Sequence, residues 1–340
     1  MKNITDISNT RKPTAFFSVL SGIILLFTLF VLLAFGTGFY QSQEKAMQKG
    51  VEKNLAAIAQ LKADQIIAWR KDQLDDAVTL VNPFLLQSLI RFMSDPDEEE
   101  KKKLIMEFKN LATQHDYMEI LLISPDGRIL LGMEESFALH TGYLPALESA
   151  FKQRKPVFVD LHRETPDDKP HISVISPLFS DSGQNPGAPI GALVFVNDPL
   201  QFLYPLIQSW PTADKTAETL LVRQDNDQVL FLNDLRHQPD AALRLRIPMS
   251  ETEVPAVMAL HGKTGYVRGW DYRGVETVAV ILPIPDSPWF MVAKIDMEEA
   301  FADWRFRSIL ILSLILGLTL LVGIVGMVIR QREKKVHFRD

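Results

Sequence analysis

The 340-residue sequence contains no cysteine. No disulfide can staple its fold, and thiol chemistry is excluded as an activity. Catalytic signatures are missing as well: there is no HExxH, no phosphate-cradling glycine loop and no nucleophile elbow. No catalytic residue is therefore assigned, and neither cofactor nor metal is expected. A basic excess is also lacking. The formal net charge is −6, an unfavourable sign for a nucleic-acid partner.

What the chain does have is two long stretches without charge. One lies within Thr14 to Tyr40 and is dominated by Leu, Phe, Ile and Val; the other is Ile309 to Ile329, 21 residues. At about 1.5 Å per residue the second reaches roughly 31 Å, the thickness of a bilayer's hydrocarbon core. The first offers Ala34-Phe35-Gly36 as a cleavage-like spacing, but its apolar part is about twice the roughly 7–15 residues of a signal peptide, so it reads as an uncleaved membrane helix. Both tails are basic, +2 before the first stretch and +3 after the second, which predicts that both termini stay in the cytoplasm. Residues 41–308 would then be translocated, across a bacterial inner membrane, with lipid as a partner.

From Gln41 to Val81 apolar residues recur three to five apart, at Met47, Val51, Leu55, Ile58, Leu61, Ile66, Trp69, Leu74 and Val78. This predicts one long helix, a spine ended by Asn82-Pro83. A second helix is expected from Asp95-Pro96, with Leu104, Phe108 and Leu111 as its buried stripe.

An internal repeat follows. Glu119–Gly132, EILLISPDGRILLG, reads as strand, turn and strand, and Glu218–Asn233, ETLLVRQDNDQVLFLN, repeats the device 99 residues later. HISVISPLF from His171 answers TVAVILPIP from Thr277, and GALVFVND from Gly191 answers FMVAKID from Phe290. Each copy also carries a helical piece, Leu144–Arg154 and Val254–His261, then a strand, Val157–His162 and Thr264–Trp270. Tight hairpins make each sheet antiparallel.

A long helix followed by two such modules between two membrane helices resembles the double Cache (PAS-like) sensor region of bacterial transmembrane receptors. KTAETLLVRQDNDQVLFLNDLRH and YRGVETVAVILPIPDSPWFMVAKID look like the membrane-proximal module of histidine kinases with cytoplasmic PAS domains. The resemblance implies an α+β fold: two tandem Cache modules with antiparallel sheets on a long N-terminal helix, flanked by two transmembrane helices. The expected divisions are a cytoplasmic tail 1–13, a membrane helix 14–40, a spine 41–81, a membrane-distal module 82–209, a membrane-proximal module 210–296, a connecting helix 297–308, a membrane helix 309–329 and the start of a cytoplasmic region 330–340. It also implies a homodimer, signal transduction rather than catalysis, and a small-molecule ligand, an organic acid, amine or amino acid, in the distal module. A chemoreceptor, a cyclic-dinucleotide enzyme or a membrane-anchored binding protein would use the same region. The tail RQREKKVHFRD carries no output of its own, which reads as part of a longer receptor.

In the amino-acid-binding branch of that family an Arg-Trp-Tyr cluster follows the module's helix, a Tyr opens the next strand and an Asp ends the last. Here Asp198 matches the Asp, Arg154, Lys155, Pro156 and Phe158 hold the cluster's place, and His171 stands at the Tyr. The candidate ligand residues are Arg128, Arg154, Asp160, His162, His171, Ser173 and Asp198: polar groups in or beside apolar strands, able to orient a ligand in a concavity. Asn197-Asp198-Pro199 also reads as a helix cap. His162 and His171, with Glu164, Asp167 and Asp168 between them, have no metal-specific spacing. In the second copy Tyr266, Trp270 and Tyr272 cluster around a turn. Asp296 and Glu299 fit a D-x-x-E capping box at the start of the helix that enters the membrane, with Phe301 and Trp304 on one face. These four residues are expected to transmit the signal.

Overall fold

The computed structural model describes residues 14–134, 142–163, 168–180 and 187–337. The basic tail 1–13 lies outside them, as do Glu164 and Asp167. Two compact units emerge: Glu52–Glu299, and a pair formed by Met1–Val51 with Ala300–Asp340.

The chain begins with α1 (Thr14–Thr79), a single helix of 66 residues that joins the first apolar stretch to the spine. The spine's apolar spacing shows in its buried residues, Leu55, Ile58, Ala59, Ala63 and Ile66. Asn82-Pro83 does more than end it. The Asn82 carboxamide oxygen accepts from the amides of Phe84 and Leu85, and Pro83 opens a further helix, α2 (Pro83–Ser94). The expected cap at Asp95 is corrected by the structure. Asp95 closes α2, and Asp97 caps α3 (Glu98–His115), accepting from Glu99 and Glu100 at 3.1 and 3.3 Å. Both aspartates can cap; α2 claims the first, leaving the second for the acidic first turn.

The first sheet is built from β1 (Tyr117–Ile123), β2 (Ile129–Gly132), β3 (Val157–His162), β4 (His171–Phe179) and β5 (Pro189–Asn197), with α4 (Tyr143–Gln153) between β2 and β3. Its strand order is β2-β1-β5-β4-β3, antiparallel throughout. Gly127 turns the first hairpin at φ 84°, the left-handed conformation that a Pro-Asp-Gly reversal needs. One face is covered by α2 and α3, whose Leu85, Leu89, Phe92, Leu104 and Phe108 pack on Ile120, Leu122, Leu193 and Phe195. The other is covered by α4, whose Tyr143, Leu147 and Ala150 pack on Leu121, Ile123, Ile175 and Val194.

After α5 (Leu203–Gln208) the second sheet uses β6 (Glu218–Asp225), β7 (Gln228–Phe231), β8 (Arg246–Pro248), β9 (Gly265–Trp270), β10 (Glu276–Pro283) and β11 (Phe290–Asp296), with α6 (Pro255–Leu260) between β8 and β9. Its order is β8-β7-β6-β11-β10-β9, the first sheet's order with one short edge strand added. The repeat is thus a repeat of topology. The core of this module joins Ala256, Val257, Met258 and Ala259 of α6 to Val222, Phe231, Ala279 and Val292.

Beyond β11 come α7 (Met297–Ala300) and α8 (Ala302–His337). Within α8, Ala302–Val328 is long and apolar enough to cross a membrane. A second candidate pairs Leu26–Thr79 with Pro83–Ser94 across a 65° bend, but α2 spends its apolar side chains in the core. The exposed apolar groups lie near the start of α1, at Ile23, Leu26, Phe27 and Phe30.

Candidate functional site

On the α4 face of the first sheet, where β3 ends and β4 begins, a polar group interrupts the apolar packing. His162 and His171 oppose each other in register, their rings 4.2 Å apart and near perpendicular. The ring of Tyr143, at the start of α4, meets His162 edge-on at 5.5 Å. Its hydroxyl shares a 2.8 Å hydrogen bond with Ser173 Oγ. Tyr143, His171 and Ser173 are buried, while His162 is half-buried. Strand alternation explains the grouping. His171, Ser173 and Ile175 point to one face, and Ile175 belongs to the α4 core. Each histidine has its Nδ1 close to a backbone oxygen, that of Asp160 at 2.7 Å and that of Lys169 at 3.3 Å, which orients the rings. Two imidazoles, a phenol and a hydroxyl form a hydrogen-bonding surface with both donors and acceptors.

The remaining candidates go elsewhere. Asp198 follows the last residue of β5, Asn197, which faces Ile172. Its Oδ1 accepts the Leu200 amide at 2.9 Å. Arg128 is exposed in the hairpin turn and pairs with Asp126 at 2.7 Å. Arg154 closes α4 in the left-handed conformation, stacks on Phe179 at 3.9 Å and donates to the Gly187 carbonyl. Asp160 reaches into the second module. It accepts from Trp289 Nε1 at 2.7 Å and lies 3.3 Å from Arg223 Nε. The structure therefore joins His162, His171 and Ser173, adds Tyr143, and gives Arg128, Arg154 and Asp160 other partners.

Glu119 also went unnoticed in the sequence. It is buried on the same face, opposite Val196, and accepts the amides of Ile120, Met133 and Glu134. Burial pushes its carboxyl above the usual range despite those three donors. A glutamate in an otherwise apolar strand, repeated 99 residues later as Glu218, was the available signal.

In the second module Tyr266 accepts from Arg268 Nε at 3.3 Å and Trp270 is 47% exposed, so neither closes a cage. Tyr272 turns inward, donating to Glu218 Oε1 at 2.8 Å. The capping box foreseen at Asp296 and Glu299 is replaced by other bonds. Glu299 accepts from the Lys215 and Thr216 amides, both at 2.8 Å, and from the Thr216 hydroxyl. The Asp296 amide donates to Thr216 Oγ1, and its carboxylate pairs with Arg273. A capping glutamate must fold back on its own helix; here the 215–216 loop offers three donors at once. In the other unit Phe301 is buried, and Trp304 packs on Tyr40 with ring centres 4.8 Å apart.

Two antiparallel sheets of one topology, in tandem behind a long helix, define a double PAS-like architecture. The chain belongs to the Cache domain family, whose double Cache model matches residues 43–304. Among solved structures, the ligand-binding domain of the Campylobacter jejuni chemoreceptor Tlp3, in complex with L-norvaline, is 13% identical with a TM-score of 0.53, covering 75% of this chain and 94% of its own. That of the Pseudomonas aeruginosa amino acid chemoreceptor PctB, in complex with L-Arg, is 16% identical with a TM-score of 0.50, covering 75% and 98%. At these identities the likeness is one of fold. No curated protein matches the chain.

Proposed function

We propose that this chain is the sensor region of a bacterial membrane receptor that binds a small molecule outside the cytoplasm and signals through the membrane. The observation that carries the reading is the buried polar group Tyr143, His162, His171 and Ser173, set on the α4 face of the first Cache module. Polar side chains grouped on an otherwise apolar face are the means by which a pocket orients a polar ligand. The ligand classes it suits are amino acids, amines and organic acids. Asp198, just past the end of β5, is the group that would accept from a ligand's ammonium once it releases the Leu200 amide.

The receptor reading includes a two-pass topology with both basic tails in the cytoplasm and residues 41–308 outside, and a homodimer paired along α1 and α8. Arg305 and Arg307 would lie at the headgroups, with Trp304 and Tyr40 in the aromatic belt. For the output we infer a histidine kinase, from the resemblance of the second module's strands. A chemoreceptor is the second reading, favoured by the fold shared with the two chemoreceptor domains. The coding sequence after Asp340 separates these by a phospho-acceptor histidine or a long heptad hairpin.

Thermal-shift screening of the protein against the three ligand classes, followed by calorimetry, tests the site. The expected result is a ligand whose affinity falls at least about tenfold in His171→Ala and in Tyr143→Phe, equivalent to about 1.4 kcal/mol. A ligand that binds both variants as it binds the parent would place the site elsewhere.

A further inference from the structure

In the second module an ion-paired group fills the place where the first carries Tyr143, His171 and Ser173. Lys294 lies in β11 and is 1% exposed. It faces Ala279, a member of the core under α6, so its side chain is on the α6 face. Its Nζ lies 2.6 Å from Asp271 Oδ2, 2.9 Å from Glu218 Oε1 and 3.9 Å from Asp296 Oδ1. The ring of Tyr272 stands 5.2 Å away, and its hydroxyl donates to Glu218. Arg273 closes the group from the solvent side, bound to Asp271 and Asp296.

Strand register equates the two copies at this point. Lys294 faces Glu218 on one side and Ala279 on the other. Val196 faces Glu119 and Ser173 in the same way. Position 294 of the second sheet is therefore position 196 of the first. Where the first sheet has Val196 beside the Tyr143–Ser173 pair, the second has an ammonium. A buried structural lysine needs one counter-charge. Lys294 has two carboxylates in direct contact, Glu218 and Asp271, with Asp296 shared with Arg273 and the Tyr272 ring beside it, an arrangement that also suits a free alkylammonium.

We propose that Lys294 is a tethered ligand: its ammonium occupies, from within the chain, an amine-binding recess of the second Cache module formed by Glu218, Asp271, Asp296 and Tyr272. This module is then held in its occupied state without any solute. The last strand is fixed two residues before its end at Asp296. The inference does not depend on what binds in the first module.

The test uses the full chain in lipid nanodiscs. Lys294→Ala deletes n-propylammonium from the recess. Its melting temperature should lie below the parent's and rise by at least about 3 °C in 50 mM n-propylammonium chloride. Sodium chloride or sodium propionate at equal ionic strength should have no such effect, and the parent should not respond to the amine. Equal responses of the alanine variant to the amine and to sodium chloride would overturn the proposal. Should the alanine variant fail to fold, Lys294→Met keeps the stem and removes the charge. Asp271 and Asp296 then keep Arg273 as their one cation, and Glu218 keeps the Tyr272 hydroxyl and the Arg236 amide but no cation, so its melting temperature should rise as pH falls from 7 to 5 while the parent's does not. A methionine variant that follows the parent's pH profile would reduce Lys294 to a packing residue.

Discussion

Lys62 stands on α1, yet its ammonium serves the end of another helix. It donates to the carbonyls of Leu206 and Ile207, each at 2.7 Å, and to that of Ser209, the last acceptors of α5. At a helix end such oxygens need partners from outside; Leu206 O also accepts from Ser209 Oγ and Ile207 O from Thr219 Oγ1, so the lysine is one of several donors there. Lys62→Met keeps the apolar stem and strips the donors, so urea unfolding should show a loss of about 1–3 kcal/mol. Glu299 is the complementary case among acids. Burial pushes its carboxyl up, but the bonds from Lys215 and Thr216 outweigh this and hold it below the usual range. A depressed carboxyl stabilises the fold above its unfolded pKa, and the contribution disappears as pH falls through the folded value. Asp271 behaves alike: burial raises its carboxyl, and Lys294 and Arg273 more than reverse the effect. The urea midpoint should therefore drop as pH is lowered through and below the carboxylate range, near 4.5 and down. Glu299→Gln should cost about 1 kcal/mol at pH 7, given its partial exposure, and should flatten that drop.

Among the elements, the hairpin between β10 and β11 is where the two modules meet. Trp289 is buried there and donates to Asp160 of β3, which also pairs with Arg223 of β6. Arg70 of α1 lies over Phe158 at 4.3 Å and over Trp289 at 5.0 Å and donates to the Asp286 carbonyl. One strand of the first module, one hairpin of the second and the spine thus share a single junction. Trp289→Phe keeps an aromatic side chain but removes the N–H and part of the buried indole, so the modules should lose cooperativity: one calorimetric transition becomes two, and ligand at the first module ceases to slow amide exchange in β11. A single sharp transition in the variant would contradict this. The junction also marks the boundary of what the sequence disclosed. The succession of strands and helix along each copy followed from the hairpins and the offset of 99, since period and turn residues are local signals. Asp160 read as a pocket residue because a polar group in an apolar strand looks the same whether it faces a ligand or a tryptophan 129 residues away. The helix α2 hid behind Asn82-Pro83, which stops one helix and starts another with the same two residues. Tyr143 was passed over because nothing near it in sequence reveals Ser173, 30 residues on.

At the scale of the whole molecule, the chain leaves the second sheet at one point. β11 ends at Asp296, α7 follows at once, and α8 begins at Ala302 and carries the apolar span. No glycine or proline occurs between Asp296 and the apolar run, and the one interruption of the helix is the turn at Phe301, between α7 and α8. In the first module the equivalent exit, after Asn197, leads through α5 into the next sheet; here the same exit leads into α8. If signalling uses this exit, ligand must bind two arrangements of the sensor with different affinity, and tenfold discrimination supplies about 1.4 kcal/mol to move them. Such a sum survives only in a connection stiff enough not to dissipate it. Four glycines inserted after Asp303 should leave ligand affinity within about twofold of the parent while abolishing the response of a kinase output fused after the tail. Four alanines at the same place extend the helix by about one turn and rotate it by only about 40°. They should preserve a response, altered in its set point. Equal signalling through both inserts would show that the exit carries no motion and would move the search to α1, a single helix that runs from the first apolar stretch into the spine.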